Sequence, residues 1–136
     1  MNADAPPMAA DLSREELDSL SRRIIGAAFR VSSTLGQGFL EKVYENSLVH
    51  ELRKAGLHVE QQRPVQVWYD GEIVGDYITD ILVGRAIVLE IKASEGLDRS
   101  HYSQCANYLR ATGLRICLLL NFGRPRLELK RIVRNF

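Results

Sequence analysis

Two consecutive apolar segments of the chain carry charged residues at positions where a buried strand would ordinarily hold apolar ones. Residues 77–83 contain Asp80, and residues 86–92 contain Glu90 and Lys92. Because side chains alternate along a strand, Glu90 and Lys92 leave the same face. Burying a charge is costly unless the charge is paired or binds a metal ion. These three residues therefore constrain both the fold and the chemistry of the chain.

The connection between the two segments decides whether Asp80 can share a site with Glu90. If Gly84-Arg85 formed a tight two-residue turn, Asp80 would pair with Leu89 and face away from the second carboxylate. A three-residue loop, or a bulge beside the site, would bring both carboxylates to one face. We predict this offset register, because a shared site requires it.

Two carboxylates that converge repel one another unless a divalent cation or a shared proton lies between them. Mg²⁺ and Mn²⁺ favour carboxylates, backbone carbonyls and water as ligands. The pattern therefore predicts a site for one of these ions, with Asp80, Glu90 and the backbone carbonyl of Ile91 as ligands. Lys92 would orient the attacking water or neutralise a phosphate. The alternative for a Glu-x-Lys pair on a strand is an ordinary solvated ion pair.

A helix that follows a glycine-rich break contributes a further acidic residue. Glu41 and Tyr44 lie three residues apart, on neighbouring positions of one helix face. Tyr44 belongs to the apolar stripe of that helix, so Glu41 borders the core. Glu41 is either an outer ligand that holds a metal-bound water, or a carboxylate that the helix dipole favours near the N-terminus whatever its function.

Hydrophobic periodicity and turn signals predict the order α-α-β-β-β-α-β-β, which is a mixed sheet flanked by helices in the α/β class. We expect a disordered lead over residues 1–12 and a single domain over residues 13–136. The expected helices cover about residues 13–31, 39–55 and 97–112, and the expected strands cover about residues 65–69, 72–83, 86–92, 115–121 and 127–133.

Composition indicates a folded, soluble, cytoplasmic protein. Hydrophobic residues make up 46% of the chain and charged residues 26%, and no apolar run approaches the length that spans a bilayer. The first residues lack the basic and apolar regions of a secretory signal. Cys105 and Cys117 have no metal-ligand spacing, so we expect buried free thiols in a reducing compartment.

Positive charge is concentrated at the C-terminal end, although the formal net charge is only +1. Residues 115–136 hold six basic residues against a single acidic one. Such an end fits a polyanionic partner such as nucleic acid, although an ordinary solvated sheet edge would look the same. The candidate contacts are Arg124, Arg126, Lys130 and Arg131.

Several motifs occur in the order seen in one known family. Gly38, Glu41 and Tyr44 match the pattern that names the GxxExxY protein family. The match continues through Asp80, residues 90–92, Gln104, Tyr108, residues 119–123 and residues 130–133. The chain thus resembles this family from about Leu17 to Val133. The family itself is similar to compact members of the PD-(D/E)xK nuclease superfamily, although Thr79 stands where that name has proline.

The resemblance implies a restriction-endonuclease-like αβββαβ core with an extra N-terminal helix. It also implies that Asp80 and Glu90 are metal ligands, that Lys92 is the catalytic lysine, that Glu41 is the helix-borne acid and that Gln104 is an accessory polar residue. The implied activity is Mg²⁺- or Mn²⁺-dependent hydrolysis of phosphodiester bonds, in DNA rather than RNA, with a homodimer as one way to cut two strands. The alternative is a catalytically silent nucleic-acid-binding or protein-interaction module that keeps the fold.

Overall fold

The computed structural model describes residues 12–136, in which three helices flank a five-stranded sheet. The elements are α1 (Arg14–Leu35), α2 (Glu41–Lys54), β1 (Val59–Tyr69), β2 (Glu72–Val83), β3 (Ile87–Lys92), α3 (Arg99–Thr112), β4 (Ile116–Asn121) and β5 (Glu128–Val133). This order confirms the predicted α/β class with a mixed sheet. The predicted lead, residues 1–12, lies outside the described residues except for Leu12.

The sheet has the strand order β1-β2-β3-β4-β5, and only β3 and β4 run parallel. A parallel pair needs a crossover connection, and α3 supplies it. Within residues 12–136, no helix is both long enough and apolar enough to cross a membrane.

Some element boundaries differ from those predicted. Strand β1 begins at Val59, whereas the sequence predicted its start near residue 65. The added segment is mostly polar, but it pairs with the buried end of β2, so tertiary pairing decides its conformation. Helix α1 continues to Leu35, beyond the predicted end near Val31, and Gly36 then ends it with a φ of 69°.

The two faces of the sheet have separate cores. One face packs against α1 and α2, through side chains such as Ile81, Leu89 and Leu118. The other face packs against α3, through side chains such as Leu82 and Val88. Strand alternation places Asp80, Glu90 and Lys92 on the second face, beneath α3.

The turn between β2 and β3 has the predicted offset. Val83 pairs with Ile87 and Ile81 pairs with Leu89, so residues 84–86 form a three-residue connection. Gly84 and Arg85 adopt positive φ angles of 60° and 54° in this connection. The same register carries Asp80 to a position opposite Glu90, so the two carboxylates share one face.

The side chain of Asn121 joins the segment after β3 to the end of β4. Asn121 is fully buried, and its Oδ1 accepts hydrogen bonds from the backbone N–H groups of Ser94 and Gly123, both at 3.0 Å. Its Nδ2 donates to the carbonyl of Ser94 at 3.0 Å and to the carboxylate of Glu128 at 3.1 Å. These four bonds, which we call the Asn121 clamp, hold the chain just beyond Lys92.

Gly123 lies where only glycine fits. A Cβ atom at this position would lie 2.3 Å from both the backbone nitrogen and the backbone oxygen of Ser94. Because these atoms are backbone atoms held by the Asn121 clamp, they cannot rotate away from an added side chain.

We expect Gly123→Ala to lower the free energy of unfolding by about 2 to 3 kcal/mol, since the added methyl group forces two backbone segments apart. Urea denaturation followed by circular dichroism measures this change. Gly96→Ala is the matched control, because a Cβ there meets nothing within 4 Å and the change should stay within about 0.5 kcal/mol. Equal stability of the two variants would contradict the steric clash inferred at Gly123.

Candidate active site

Asp80 replaces a backbone acceptor at the point where β2 and β3 stop pairing. Its Oδ2 accepts a hydrogen bond from the backbone N–H of Ile91 at 2.8 Å. On the other side, β1 is irregular: Gln62 has a φ of 55° and is absent from the pairing between Gln61–Ile81 and Arg63–Thr79. Asp80 therefore lies at a break in the ladder between both neighbouring strands, where its carboxylate can leave the sheet.

Glu90 is a buried carboxyl group with one unsatisfied oxygen. It is 2% exposed, and its Oε1 has no hydrogen-bond partner. Its side chain also hydrogen-bonds to Asp80. Buried polar atoms are nearly always paired, so an orphaned carboxyl oxygen beside a second carboxyl group calls for an explanation.

Burial, the charge of Asp80 and the hydrogen bond between the two side chains together raise the pKa of Glu90 to about 10. Burial also raises the pKa of Asp80, although the bonds from Ile91 and Glu90 oppose this shift. The nearby ammonium of Lys92 lowers both values. In the absence of a cation, the pair therefore holds a shared proton at neutral pH.

Lys92 lies at the carboxyl end of β3 and is anchored through its backbone. Its carbonyl accepts a hydrogen bond from the N–H of Phe122 at 2.8 Å. Its ammonium is close enough to interact electrostatically with Glu41, Asp80 and Glu90. The carbonyl of Ile91 remains a predicted ligand.

Glu41 approaches from α2, which packs on the opposite face of the sheet. Its side chain is exposed in the first turn, yet partial desolvation raises its pKa. The charge of Lys92 lowers this pKa, and the charge of Asp80 raises it. Glu41 is therefore electrostatically part of the site, although it is not packed into it.

Tyr44 fixes the start of α2, and hence the position of Glu41. Its hydroxyl donates to the carbonyl of Gly36 at 2.6 Å and accepts from the N–H of Phe39 at 3.1 Å. Its ring stacks on Phe122, with centroids 4.9 Å apart. Since Phe122 also bonds to the backbone of Lys92, one aromatic stack connects the helix-borne acid with the end of β3.

Helix α3 covers the site with polar groups. Gln104 Nε2 donates to the hydroxyl of Tyr108 at 3.0 Å, and that hydroxyl donates to the carbonyl of Ile78 at 3.1 Å. Burial and the charge of Glu90 raise the pKa of Tyr108. Gln104 is thus connected through Tyr108 to Ile78, which precedes Asp80 by two residues on β2, and its role as an accessory residue of the site remains a prediction. Cys105 on the same helix and Cys117 on β4 are buried free thiols, as predicted.

A second buried carboxylate, Glu45, was missed by the sequence reasoning. It is 2% exposed, and its Oε2 accepts from Lys42 at 3.1 Å, Gln61 at 2.6 Å and Gln62 at 3.0 Å. Its place one turn after Glu41, on the buried face of α2, was the available signal. Glu45 holds the irregular part of β1 against α2.

The four basic residues proposed for nucleic-acid contact are not equivalent. Arg131 pairs with Asp18 at 2.8 Å and lies over the ring of Phe136. Arg124 donates to the carbonyl of Glu95 at 2.8 Å. Arg126 and Lys130 are exposed. Arg124 and Arg126 follow β4 at the end of the sheet where Lys92 lies, and the role of all four residues remains a prediction.

The donor set fits a hard divalent cation. Among residues 12–136, no group of three or more His, Cys, Asp or Glu side chains forms a ready-made metal cluster. Mg²⁺ is commonly held by one or two carboxylates, with water and substrate completing its shell. Asp80 and Glu90 supply two carboxylates, and the orphaned Oε1 of Glu90 is an unused oxygen ligand.

Comparison with known proteins gives a family match. A family model described as the PD-(D/E)XK nuclease superfamily matches residues 18–132, which is most of the chain. No curated protein and no solved structure matches. The narrower resemblance to the GxxExxY family remains a prediction.

Glu90→Gln should stabilise the metal-free protein at alkaline pH. The folded-state pKa of Glu90 is raised to about 10, so the proton on Glu90 stabilises the folded state. This contribution to the free energy of unfolding is complete at acidic pH and is lost as pH rises toward the folded-state pKa. We expect a melting temperature about 3 to 10 °C above wild type near pH 9, and a flatter dependence on pH. Differential scanning calorimetry in EDTA measures both effects.

The exposed Glu95 provides a control with the same chemical change, Glu95→Gln, which should leave the pH dependence unaltered. If the pair is the metal site, Mg²⁺ should raise the melting temperature of wild type more than that of Glu90→Gln, because a ligand that binds only the native state stabilises it. A wild-type melting temperature that is constant across this pH range would contradict the raised pKa.

Proposed function

The chain belongs to the PD-(D/E)XK nuclease superfamily, and we propose that it hydrolyses phosphodiester bonds in nucleic acid, DNA rather than RNA, with Mg²⁺ or Mn²⁺. Asp80 and Glu90 would hold the ion, with the carbonyl of Ile91 as a further ligand. Lys92, Glu41 and Gln104 would complete the catalytic set. The cytoplasmic location is part of the same proposal, and a homodimer is one way in which so small a domain could cut two strands.

The observation that carries this proposal is the contrast between two equally buried carboxyl groups. Glu45 and Glu90 are each 2% exposed. Glu45 has a lysine and two glutamines as partners, which is how a structural carboxylate is normally satisfied. Glu90 has an orphaned oxygen and a second carboxyl group as its neighbour. Such a costly arrangement is expected where a cation binds, and has no structural benefit otherwise.

Each residue has a task that follows from its position. The N–H of Ile91 holds Oδ2 of Asp80, and Oδ1 would then be the oxygen that binds the ion. The ion, when bound, lowers the pKa of water and offsets charge on the phosphate. Lys92 lies beside both carboxylates, where its ammonium can orient the attacking water or bind a phosphate oxygen. Glu41 can accept a hydrogen bond from water at the edge of the site.

The proton shared by Asp80 and Glu90 gives a direct consequence for catalysis. Binding a divalent cation requires both groups to be ionised, so metal binding releases this proton. Activity should therefore rise with pH until the metal-bound pair is fully ionised. The silent-module alternative has no such requirement, since a protein that only binds nucleic acid gains nothing from buried carboxylates.

Cleavage assays on single- and double-stranded DNA and RNA, with Mg²⁺ or Mn²⁺, test the proposal. We expect wild type to cut DNA preferentially, and Asp80→Asn and Lys92→Met each to lose at least about 100-fold in rate. Lys54→Met is the matched control, since it removes the same charge at the far end of α2 and should retain wild-type activity.

Thermal melting should show that all three variants are folded. Nucleic-acid binding without any metal-dependent cleavage by wild type would overturn the nuclease proposal in favour of the silent module. Cleavage that survives in both Asp80→Asn and Lys92→Met would mean that the site lies elsewhere.

A further inference from the structure

A groove of about 680 Å³ lies between β2 and α3, the strand that carries Asp80 and the helix that carries Gln104. Its lining includes Tyr77, Arg99, His101, Gln104 and Asn107. The volume is within the usual range for small-ligand sites, and it is sufficient for a nucleobase with its sugar. Gln104 belongs both to the groove and to the proposed catalytic set, and Tyr77 precedes Asp80 by three residues on β2.

Tyr77 forms an exposed aromatic wall that is held in position from below. It is 44% exposed, and its ring meets Tyr108 edge to face, with centroids 5.8 Å apart and an interplanar angle of 86°. Tyr108 is itself fixed by its bonds to Gln104 and to the carbonyl of Ile78. A large exposed ring with a fixed support is prepared for stacking, because little rotational freedom remains to be lost.

The other lining groups suit a nucleotide. Arg99 is exposed and supplies a positive charge at the first turn of α3. The N–H groups of Ser100 and His101 are already bonded to the side chain of Asp98, so Arg99 rather than the helix N-terminus is the group available to a phosphate. The side-chain amides of Gln104 and Asn107 are of the kind that hydrogen-bond base edges.

We propose that this groove binds an unpaired nucleobase of the strand being cut, with Tyr77 stacking on the base and Arg99 contacting the adjoining phosphate. A paired base inside a duplex has both faces covered by its neighbours, so only an unpaired base offers a face to Tyr77. The protein would then act at single-stranded segments or ends. This inference rests on the proposed nuclease function and adds the conformation of its substrate.

Binding of fluorescein-labelled polythymidine, followed by fluorescence anisotropy in Mg²⁺, tests the groove directly. Lys92→Met serves as the background, so that the probe is not cut. Adding Tyr77→Ala should weaken single-strand binding about 5- to 150-fold, whereas Tyr77→Phe should stay within about twofold, because the ring is what stacks. Binding of a blunt duplex should not respond to either change.

Tyr69→Ala is the matched control. Tyr69 is 74% exposed at the tip of the same hairpin, remote from the groove, so its loss should leave single-strand affinity unchanged. Arg99→Gln should weaken binding and reduce its salt dependence. Equal affinities for the Tyr77→Ala and Tyr69→Ala proteins, or the same loss on duplex as on single strand, would overturn the proposal.

A second measurement does not depend on the stability of any variant. Single abasic positions are placed one at a time along an oligonucleotide with a thymine tract, and affinity is measured again. A loss at one position near the cut site supports the base-binding groove, whereas a uniform profile overturns it. If wild type cuts DNA in Mg²⁺ while the profile is uniform, the nuclease function stands and only the groove assignment fails.

Discussion

Two carboxyl groups in mutual contact, in the interior beneath α3, are the constraint on which the rest of the structure depends. Their juxtaposition costs folding free energy, since burial and mutual repulsion both disfavour the ionised pair. The three-residue turn at residues 84–86 sets the register that brings them together, and the break in the ladder at Asp80 directs one of them outward. Under the proposed function, this cost in stability is what allows the pair to bind a cation, which a well-packed apolar pair would not do.

Contacts between the surrounding elements hold the residues around the carboxyl pair in fixed positions. Tyr44 connects the start of α2 to Phe122, and the N–H of Phe122 holds the carbonyl of Lys92. The Asn121 clamp, with its four hydrogen bonds, then fixes the chain just beyond Lys92. Glu41 thus comes from a helix and Lys92 from the sheet, but both are held by one rigid support. Such support is what an active site needs, because small displacements of reacting groups cost large factors in rate.

The sequence was sufficient to predict the order of elements, the offset register and the placement of Asp80 with Glu90. Charged residues in otherwise apolar strands are an unusual signal, and only a few registers can accommodate them. The start of β1 and the burial of Glu45 could not be read as directly, because both depend on contacts between segments distant in the chain. The role of Asn121 could not be predicted either, because an asparagine at the end of a strand is equally typical of an ordinary turn and its four hydrogen-bond partners are visible only in the structure. The superfamily match supports the fold, while the roles of individual residues rest on their geometry.

The Asn121 clamp also determines when the site can assemble during synthesis of the chain. Asn121 and Phe122 follow Lys92 by the whole length of α3 and β4. Synthesis from the N-terminus therefore produces both carboxylates and the lysine well before the segment that aligns them, and β4 must add in parallel beside β3 before the clamp can close. A nascent chain that ends before β4 carries every charged group of the site without the geometry. The reactive residues are thus synthesised first, and they become aligned only in a later step of folding.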